Sequence, residues 1–261
     1  MARREELTDE QWEIVESLIP KPPRRDDGKG RPRRDHRQML NGILWILRLR
    51  ARWQDLPARF PPYQTCHRSL QQWVRSGVFT RVVEALAEDL RSRGKLDLAE
   101  CFIDATFVIA KKGALSSARP SGGKGTKLMA AANGVSAPIA VHAASASPHE
   151  ITLTEGTIEQ RFTEGVPQRL IGDLAYDSDP LDARLAKHGI ELIAPHRRNR
   201  SRPTTQDGRA LRRYRRRWKV ERMFAWLQNF RRLVVRYEYH VENFLGFVHL
   251  ACMLMLLRRY F

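Results

Sequence analysis

Three acidic residues stand where an acid is costly. Asp104 interrupts the apolar run Phe102-Ile103-Asp104-Ala105, and Asp173 closes Leu170-Ile171-Gly172-Asp173. Glu221 is the only acid from Arg212 to Gln228, a stretch with seven Lys and Arg. A carboxylate in apolar surroundings is expensive unless it is paired, hydrogen-bonded or bound to metal. Two strand acids and one helix acid that converge would supply the hard oxygen ligands that divalent cations prefer. For Glu221 a plainer account stands beside this one, an Arg217–Glu221 pair at i,i+4 worth about 0.3–0.5 kcal/mol. Other acids have simpler readings. Asp177, Asp179 and Asp207 read as helix caps, and Glu155 and Glu159 as surface helix residues. His149 is either a wall of the site or part of a helix start.

The elements that position these acids change character along the chain. Residues 1–94 read as an all-helical unit. Thr8 and Gln11 form a capping box with Leu7 and Trp12 as a hydrophobic staple, and the helix ends near Leu18 before Pro20, Pro22 and Pro23. Met39, Leu40, Ile43, Leu44 and Leu47 make a second helical stripe. A third helix runs from about Gln64 to Gly77 with Leu70, Trp73 and Val74 inward, and a fourth covers about 79–92. The third offers Thr65, His67, Arg68, Gln71 and Gln72 outward, as a recognition helix would; a bundle used for dimerisation is the alternative. From residue 95 onward strands and helices alternate. A strand at 101–109 precedes a Gly/Ser/Lys-rich loop at 113–126 and a hairpin, 127–132 and 135–144, closed by Asn133-Gly134 as a two-residue turn. A helix from Ser147 or His149 to about Arg161, a strand at 169–173, a helix from Ser178-Asp179-Pro180 to Gly189 and a strand at 190–194 follow. The order predicts a mixed α+β or α/β domain, a mixed sheet flanked by helices. Apolar spacing at 220, 223, 224, 227 and 230 predicts a long amphipathic helix, with Tyr214, Arg217, Glu221, Gln228 and Arg232 on one arc.

Charge points to a polyanion. The net charge is +17, and residues 197–236 hold fifteen Lys and Arg against two acids while residues 21–37 hold eight against three. Concentrated basic charge of this kind is the footprint of nucleic acid binding. Lys127, Arg68 and Gln71 join the basic stretch as candidate DNA contacts, and Trp218 or Trp226 as a platform for a displaced base. Cys66, Cys101 and Cys252 are far apart and read as free thiols in a reducing cytoplasm. The charged residues 1–10 give no signal peptide, and Phe244 to Leu257 is too short for a membrane span.

The chain resembles bacterial insertion-sequence transposases of the DDE class, in the insertion-sequence-five branch of the insertion-sequence-four group. The resemblance is carried by Arg75-Ser76-Gly77-Val78-Phe79, Ile103-Asp104-Ala105-Thr106, Leu170-Ile171-Gly172-Asp173-Leu174-Ala175-Tyr176-Asp177-Ser178 and Arg217-Trp218-Lys219-Val220-Glu221-Arg222. It implies a ribonuclease-H-like catalytic domain over residues 95–261. It also implies that Asp104, Asp173 and Glu221 bind catalytic Mg²⁺, with Mn²⁺ as a substitute. Tyr214 and Arg217 match the group's Tyr and Arg, whereas Gln228 stands where the group has Lys, so the phosphate contact is expected to pass to Arg231 or Arg232. The implied activity is cleavage of DNA at terminal inverted repeats and transfer of 3′-hydroxyl ends to target DNA, by a homo-oligomer, expected as a dimer, at the bacterial nucleoid. A nuclease of the same fold that cuts without joining, and a DNA-binding protein with structural acids, are the alternatives.

Overall fold

The structure, a computed structural model, describes residues 6–20, 34–111, 125–198, 200–206 and 208–261. The expectations for Pro22 and Pro23, for most of the 21–37 basic segment, for the loop up to residue 124 and for Asp207 lie outside the described residues.

Local sequence explains the helices of the first part. In α1 (Asp9–Glu16) the Gln11 N–H donates to Thr8 Oγ1 at 3.2 Å, and the Thr8 N–H donates back to Gln11 Oε1 at 3.2 Å. The capping box therefore forms as its residues predict, and the helix stops two residues before Leu18. In α2 (His36–Leu49) all five stripe residues from Met39 to Leu47 are buried. Then come α3 (Tyr63–Arg75) and α4 (Val78–Ser92). On α3, Leu70 and Trp73 face the core and Arg68 and Gln72 are exposed, but His67 turns inward against the Trp53 ring, 4.9 Å away.

The sheet runs in the order β3-β2-β1-β4-β5, from β1 (Cys101–Ala110), β2 (Gly125–Asn133), β3 (Pro138–Ser145), β4 (Arg169–Ile171) and β5 (Glu191–Ile193). β2 is antiparallel to β1 and β3, whereas β4 is parallel to β1 and β5 to β4. α5 (Glu150–Glu159) and α6 (Asp179–Lys187) fill the connections before β4 and β5. α10 (Val241–Leu257) packs on α4, α3 and β3, so it joins the first helices to the sheet in one continuous core. Gly246 permits this, because a Cβ there would lie 2.4 Å from Val74 Cγ2 of α3.

Two local expectations give way to the structure. The hairpin does not turn in two residues. The Asn133 side chain accepts from the N–H groups of Val135 (3.1 Å) and Ala137 (2.9 Å), which folds residues 134–137 into a wider loop with the positive φ at Ser136. An Asn side chain that can bond its own downstream backbone competes with the tight turn. Likewise, residues 208–234 are not one helix. They form α7 (Gly208–Leu211), a 3₁₀ segment over Arg212–Arg216, α8 (Trp218–Gln228) and α9 (Arg231–Val234). Val220, Met223, Phe224 and Leu227 are buried as their spacing predicts, and Phe230 is buried beyond the break.

That break moves Arg232 away from any DNA-facing role. Its guanidinium is buried, with Nε donating to Glu238 Oε1 at 2.8 Å and Nη1 to the Ala51 carbonyl at 3.1 Å. The side chains of Arg232 and Glu238 are only 8% and 6% exposed. Arg232 thus ties the end of α2 to the segment leading into β6 (Val235–Arg236), which pairs with the far end of β1. Removing one member of a buried pair strands the other charge. Arg232→Ala is expected to cost about 3–5 kcal/mol in chemical denaturation, whereas Arg232→Met with Glu238→Leu should recover most of that loss. A loss under about 1 kcal/mol for the single variant would show that the pair is dispensable.

Candidate active site

Parallel pairing brings the two aspartates together. Phe102 is in register with Ile171, so Asp104 and Asp173 each stand two residues further along adjacent strands or their extension. A period of two puts both side chains on the same side. Asp104 accepts the Ala105 N–H on Oδ1 at 2.8 Å. Asp173 accepts the Ala175 N–H on Oδ1 at 2.8 Å and so caps the 3₁₀ turn Leu174–Tyr176.

Arg217 couples the strand acids to α8. Its Nη1 donates to Asp104 Oδ2 at 2.6 Å and its Nη2 to Glu221 Oε1 at 2.7 Å. The i,i+4 pair read from sequence is therefore present, but as half of a bridge that reaches the sheet. Asp104 is well enclosed, its side chain 17% exposed, whereas Glu221 is 52% exposed and does not sit in the core as its apolar neighbours suggested. Burial pushes the Asp104 carboxyl above the usual range, and Asp173 adds to that; the Ala105 N–H and Arg217 act against it.

Two further residues face this space without having been singled out by sequence. Glu150, in the first turn of α5, has its carboxyl raised by burial, lowered by Lys127, and raised again by Asp104 and Asp173. Tyr176 is wholly buried, and its hydroxyl has no hydrogen-bond partner among the described residues. Burial pushes the phenol up, and Glu150, Asp104 and Asp173 follow as causes in that order. Gly172 makes room for it, since a Cβ there would lie 2.6 Å from the Tyr176 ring. His149 is the cap of α5, its Nδ1 accepting the Ile151 N–H at 3.4 Å.

The remaining named residues divide by position. Lys127, expected on DNA, turns its ammonium inward to the Pro148 carbonyl (2.7 Å) and towards Glu150 (3.8 Å), so it braces the site wall. Tyr214 is half-buried against the core, while Gln228 and Arg231 are exposed. Gln71 is half-buried on α3 beside exposed Arg68. Trp218 is exposed with the Arg222 guanidinium 4.2 Å from its ring centre, and Trp226 is half-buried. Arg209, Arg212, Arg213 and Arg216 line an open cleft. Neither Asp177 nor Asp179 caps α6; Ser178 does, and Asp179 is the first helical residue, paired with Arg200 and Arg202. Asp177 instead holds the loop after β5, contacting His196 Nδ1 at 2.9 Å, the Arg197 N–H at 2.9 Å and Arg200 Nη1 at 2.8 Å.

Among the described residues no three Asp, Glu, His or Cys side chains converge on a single metal position, because a guanidinium stands between two of the acids. The donor set nonetheless suits a hard divalent cation: carboxylates only, beside an orphaned buried hydroxyl that lacks an acceptor.

A ribonuclease-H-like sheet with acids on adjacent parallel strands and on a later helix defines a class of enzymes that act on polynucleotides. Residues 97–256 match the family "Transposase DDE domain", and residues 7–83 match "Putative transposase of IS4/5 family". The chain belongs to the DDE transposases of the IS4/5 type. It is 36% identical over 107 residues to "Insertion element IS402 uncharacterized 16.2 kDa protein" of Burkholderia cepacia, covering 40% of this chain and 73% of that one. A "Putative transposase for insertion sequence element IS402" from the same organism is 37% identical over 89 residues, 34% of this chain and 38% of that one. The corresponding protein of IS6501 in Brucella ovis is 38% identical over 91 residues, 34% and 67%. Among solved structures, piggyBac transposase in a synaptic complex with hairpin DNA superposes with a TM-score of 0.52 at 11% identity, over 95% of this chain and 70% of that one. Family membership implies dependence on a divalent metal. Among the described residues no helix is long and apolar enough to cross a membrane.

A carboxyl held above its unfolded value binds its proton more tightly in the native state, so it detracts from stability at high pH and ceases to do so as pH falls through the folded value. Asp104→Asn in metal-free buffer is therefore expected to melt no lower than the parent at pH 8, with any gain shrinking as pH drops through the carboxylate range. A lower melting point at pH 8 would mean that the bridge to Arg217 outweighs burial.

Proposed function

We propose that the chain binds the terminal inverted repeats of its insertion sequence, cleaves there and transfers the 3′-hydroxyl ends to target DNA. In this reading residues 1–94 read the ends and residues 95–261 carry the chemistry. The observation that supports it most is the coupling of Asp104 to Glu221 through one arginine, which links the acid of β1, whose register neighbour beyond β4 is Asp173, to the acid of α8. Asp104, Asp173 and Glu221 would hold two Mg²⁺ ions, or Mn²⁺ in their stead, which when bound would supply Lewis-acid activation of the attacking oxygen and charge relief at the phosphate. The chain's own part is to hold these carboxylates ionised and oriented, and to grip the DNA backbone. Arg231 and the arginines of the open cleft, of which Arg213 and Arg216 are held by Glu100, would meet phosphates, and a homodimer on paired ends is the expected assembly. Hydrolysis without joining remains the second reading, since the same site serves either outcome.

The test is a labelled repeat end incubated with target DNA and Mg²⁺. Asp104→Asn, Asp173→Asn and Glu221→Gln are each expected to bind ends as the parent does while nicking and joining fall to background. Asp179→Asn, at a half-buried acid paired with Arg200 and Arg202 and not with the triad, is the control that keeps both. Cut product without joined product from the parent selects the nuclease, and a triad variant that joins at the parental rate removes that residue from the site.

End reading is tested separately. Deleting residues 1–92 would strip α4 from α10, so point substitutions are the cleaner probe. Arg68→Ala on α3 is expected to lower the preference for the proper end over random DNA by about 1–3 kcal/mol. Arg231→Ala should weaken binding evenly across sequences and reduce the salt slope by about 1. An unchanged preference ratio in Arg68→Ala would place end recognition elsewhere.

A further inference from the structure

We propose that Glu100, one residue before β1, is a positioning residue for the reaction: it latches the 3₁₀ segment to the sheet and so sets where Arg217 and Glu221 stand. The inference rests on the cleaving and joining reading above but adds a residue outside the three acids. Direct contacts carry it. Arg213 Nε and Arg216 Nη2 each donate to Glu100 Oε1 at 2.8 Å, and Arg216 Nη2 also lies 2.6 Å from Oε2. The Glu100 side chain is only 17% exposed. Four residues along, Asp104 accepts Arg217 Nη1 at 2.6 Å. Between the two acids, the Lys219 ammonium lies 5.6 Å from the centre of the Phe102 ring. The start of β1 thus meets the chain from Arg213 to Lys219 at three successive places, of which Glu100 is the first.

The backbone form of the segment agrees with this contact. Five of the six residues from Arg212 to Arg217 are arginine, and like charges one helical turn apart repel. The 3₁₀ run covers five residues, longer than such runs usually are. In a 3₁₀ helix residues i and i+3 eclipse, so Arg213 and Arg216 stand one above the other and both reach one carboxylate. Arg217, the next residue, turns to Asp104 instead. With the Glu100 charge removed, the stacked cations repel unanswered and the segment can relax into the α form of α8. The two forms differ by about 20° per residue, so over four residues Arg213 would turn about 80° relative to Arg217. The sheet contact and the acid contact could then no longer be made together.

The experiment pairs amide hydrogen exchange of the full chain, without DNA or metal, with single-turnover nicking of a labelled repeat end in Mg²⁺. Glu100→Gln keeps the side-chain shape and removes the charge. It is expected to exchange about tenfold faster over residues 212–220, with residues 241–257 unchanged. It should nick about tenfold more slowly yet hold the end as tightly as the parent or tighter, since an acid has left a basic cleft. Glu159→Gln, at an exposed acid of α5, should match the parent in both readouts. Parental exchange over residues 212–220 overturns the proposal. Parental nicking does so too, as does a nicking loss matched by an equal loss of end affinity, which would make Glu100 part of the DNA grip. With Asp104→Asn inactive in the same assay, the proposed function stands in each of these cases. A parent that nicks no DNA overturns both. If Glu100→Gln does not fold, Arg213→Gln removes half of the same latch. Faster exchange over residues 212–220 together with slower nicking at saturating protein then supports the proposal, and any other result overturns it.

Discussion

Like charges must be kept apart or neutralised, and the architecture around Asp104 follows from that. Two carboxylates about 4 Å apart repel by about 4 kcal/mol in surroundings of intermediate polarity, and the sheet register allows Asp104 and Asp173 to stand side by side. Arg217 meets the constraint by placing one guanidinium on Asp104 and Glu221 together. It can do so only because the chain changes from 3₁₀ to α at that residue, which is the cap of α8. The buried face of α8 then sets its rotation. With Val220, Met223, Phe224 and Leu227 inward, and α8 packed on β1 and β2, the helix start is turned towards the strand acids.

Rigidity for this arrangement comes from buried cations of a different kind. Arg236 is wholly buried, donating to Thr126 Oγ1 and to the carbonyls of Glu238 and Tyr239. With the Arg232–Glu238 pair it fastens the chain after α8 to the ends of β1 and β2 and to Ala51 of the helical part. A buried polar network of this kind, satisfied among the described residues except at Glu238 Oε2, defines one geometry, whereas greasy packing alone tolerates sliding. In a chain of net charge +17, then, the arginines do separate jobs: some brace the frame, one neutralises the acids, and exposed ones such as Arg231 face solvent.

Where sequence and structure agree, a single local rule governs. The strand acids were legible because an Asp within or closing an apolar strand violates alternation and burial together, and the family resemblance named the same residues. The capping box, the α2 stripe and the strand order were legible for similar reasons. Misreadings arose where tertiary contacts override a local signal. Helical periodicity persists through residues 220–230, so nothing in it marks the break at Asn229 that separates Arg232 from Glu221. A basic residue in a basic run looks solvated, yet Arg232 has a buried acid six residues on. Glu150 was overlooked because an acid in a first helical turn is explained by the helix dipole alone. Its proximity to Asp104 depends on how α5 docks. Tyr176 gave no signal either, since an aromatic residue near a glycine reads as packing.

The bridge has a consequence for order of events. Arg217 holds Asp104 and Glu221 through its two terminal nitrogens, so a divalent cation that takes up both acids removes both of its partners at once. A guanidinium left half-buried without an anion is costly, and Arg217 is only 22% exposed. The anion nearest at hand during DNA chemistry is a phosphate, for which the planar fork of Arg is well shaped. If the acids hold the metal, metal uptake and phosphate capture would be coupled through one side chain: each would make the other more favourable, since each would supply the counter-charge that the other withdraws. On that account the arginine beside Glu221 would serve the acids before DNA arrives and the DNA afterwards, which no lysine at the same position could do with one nitrogen.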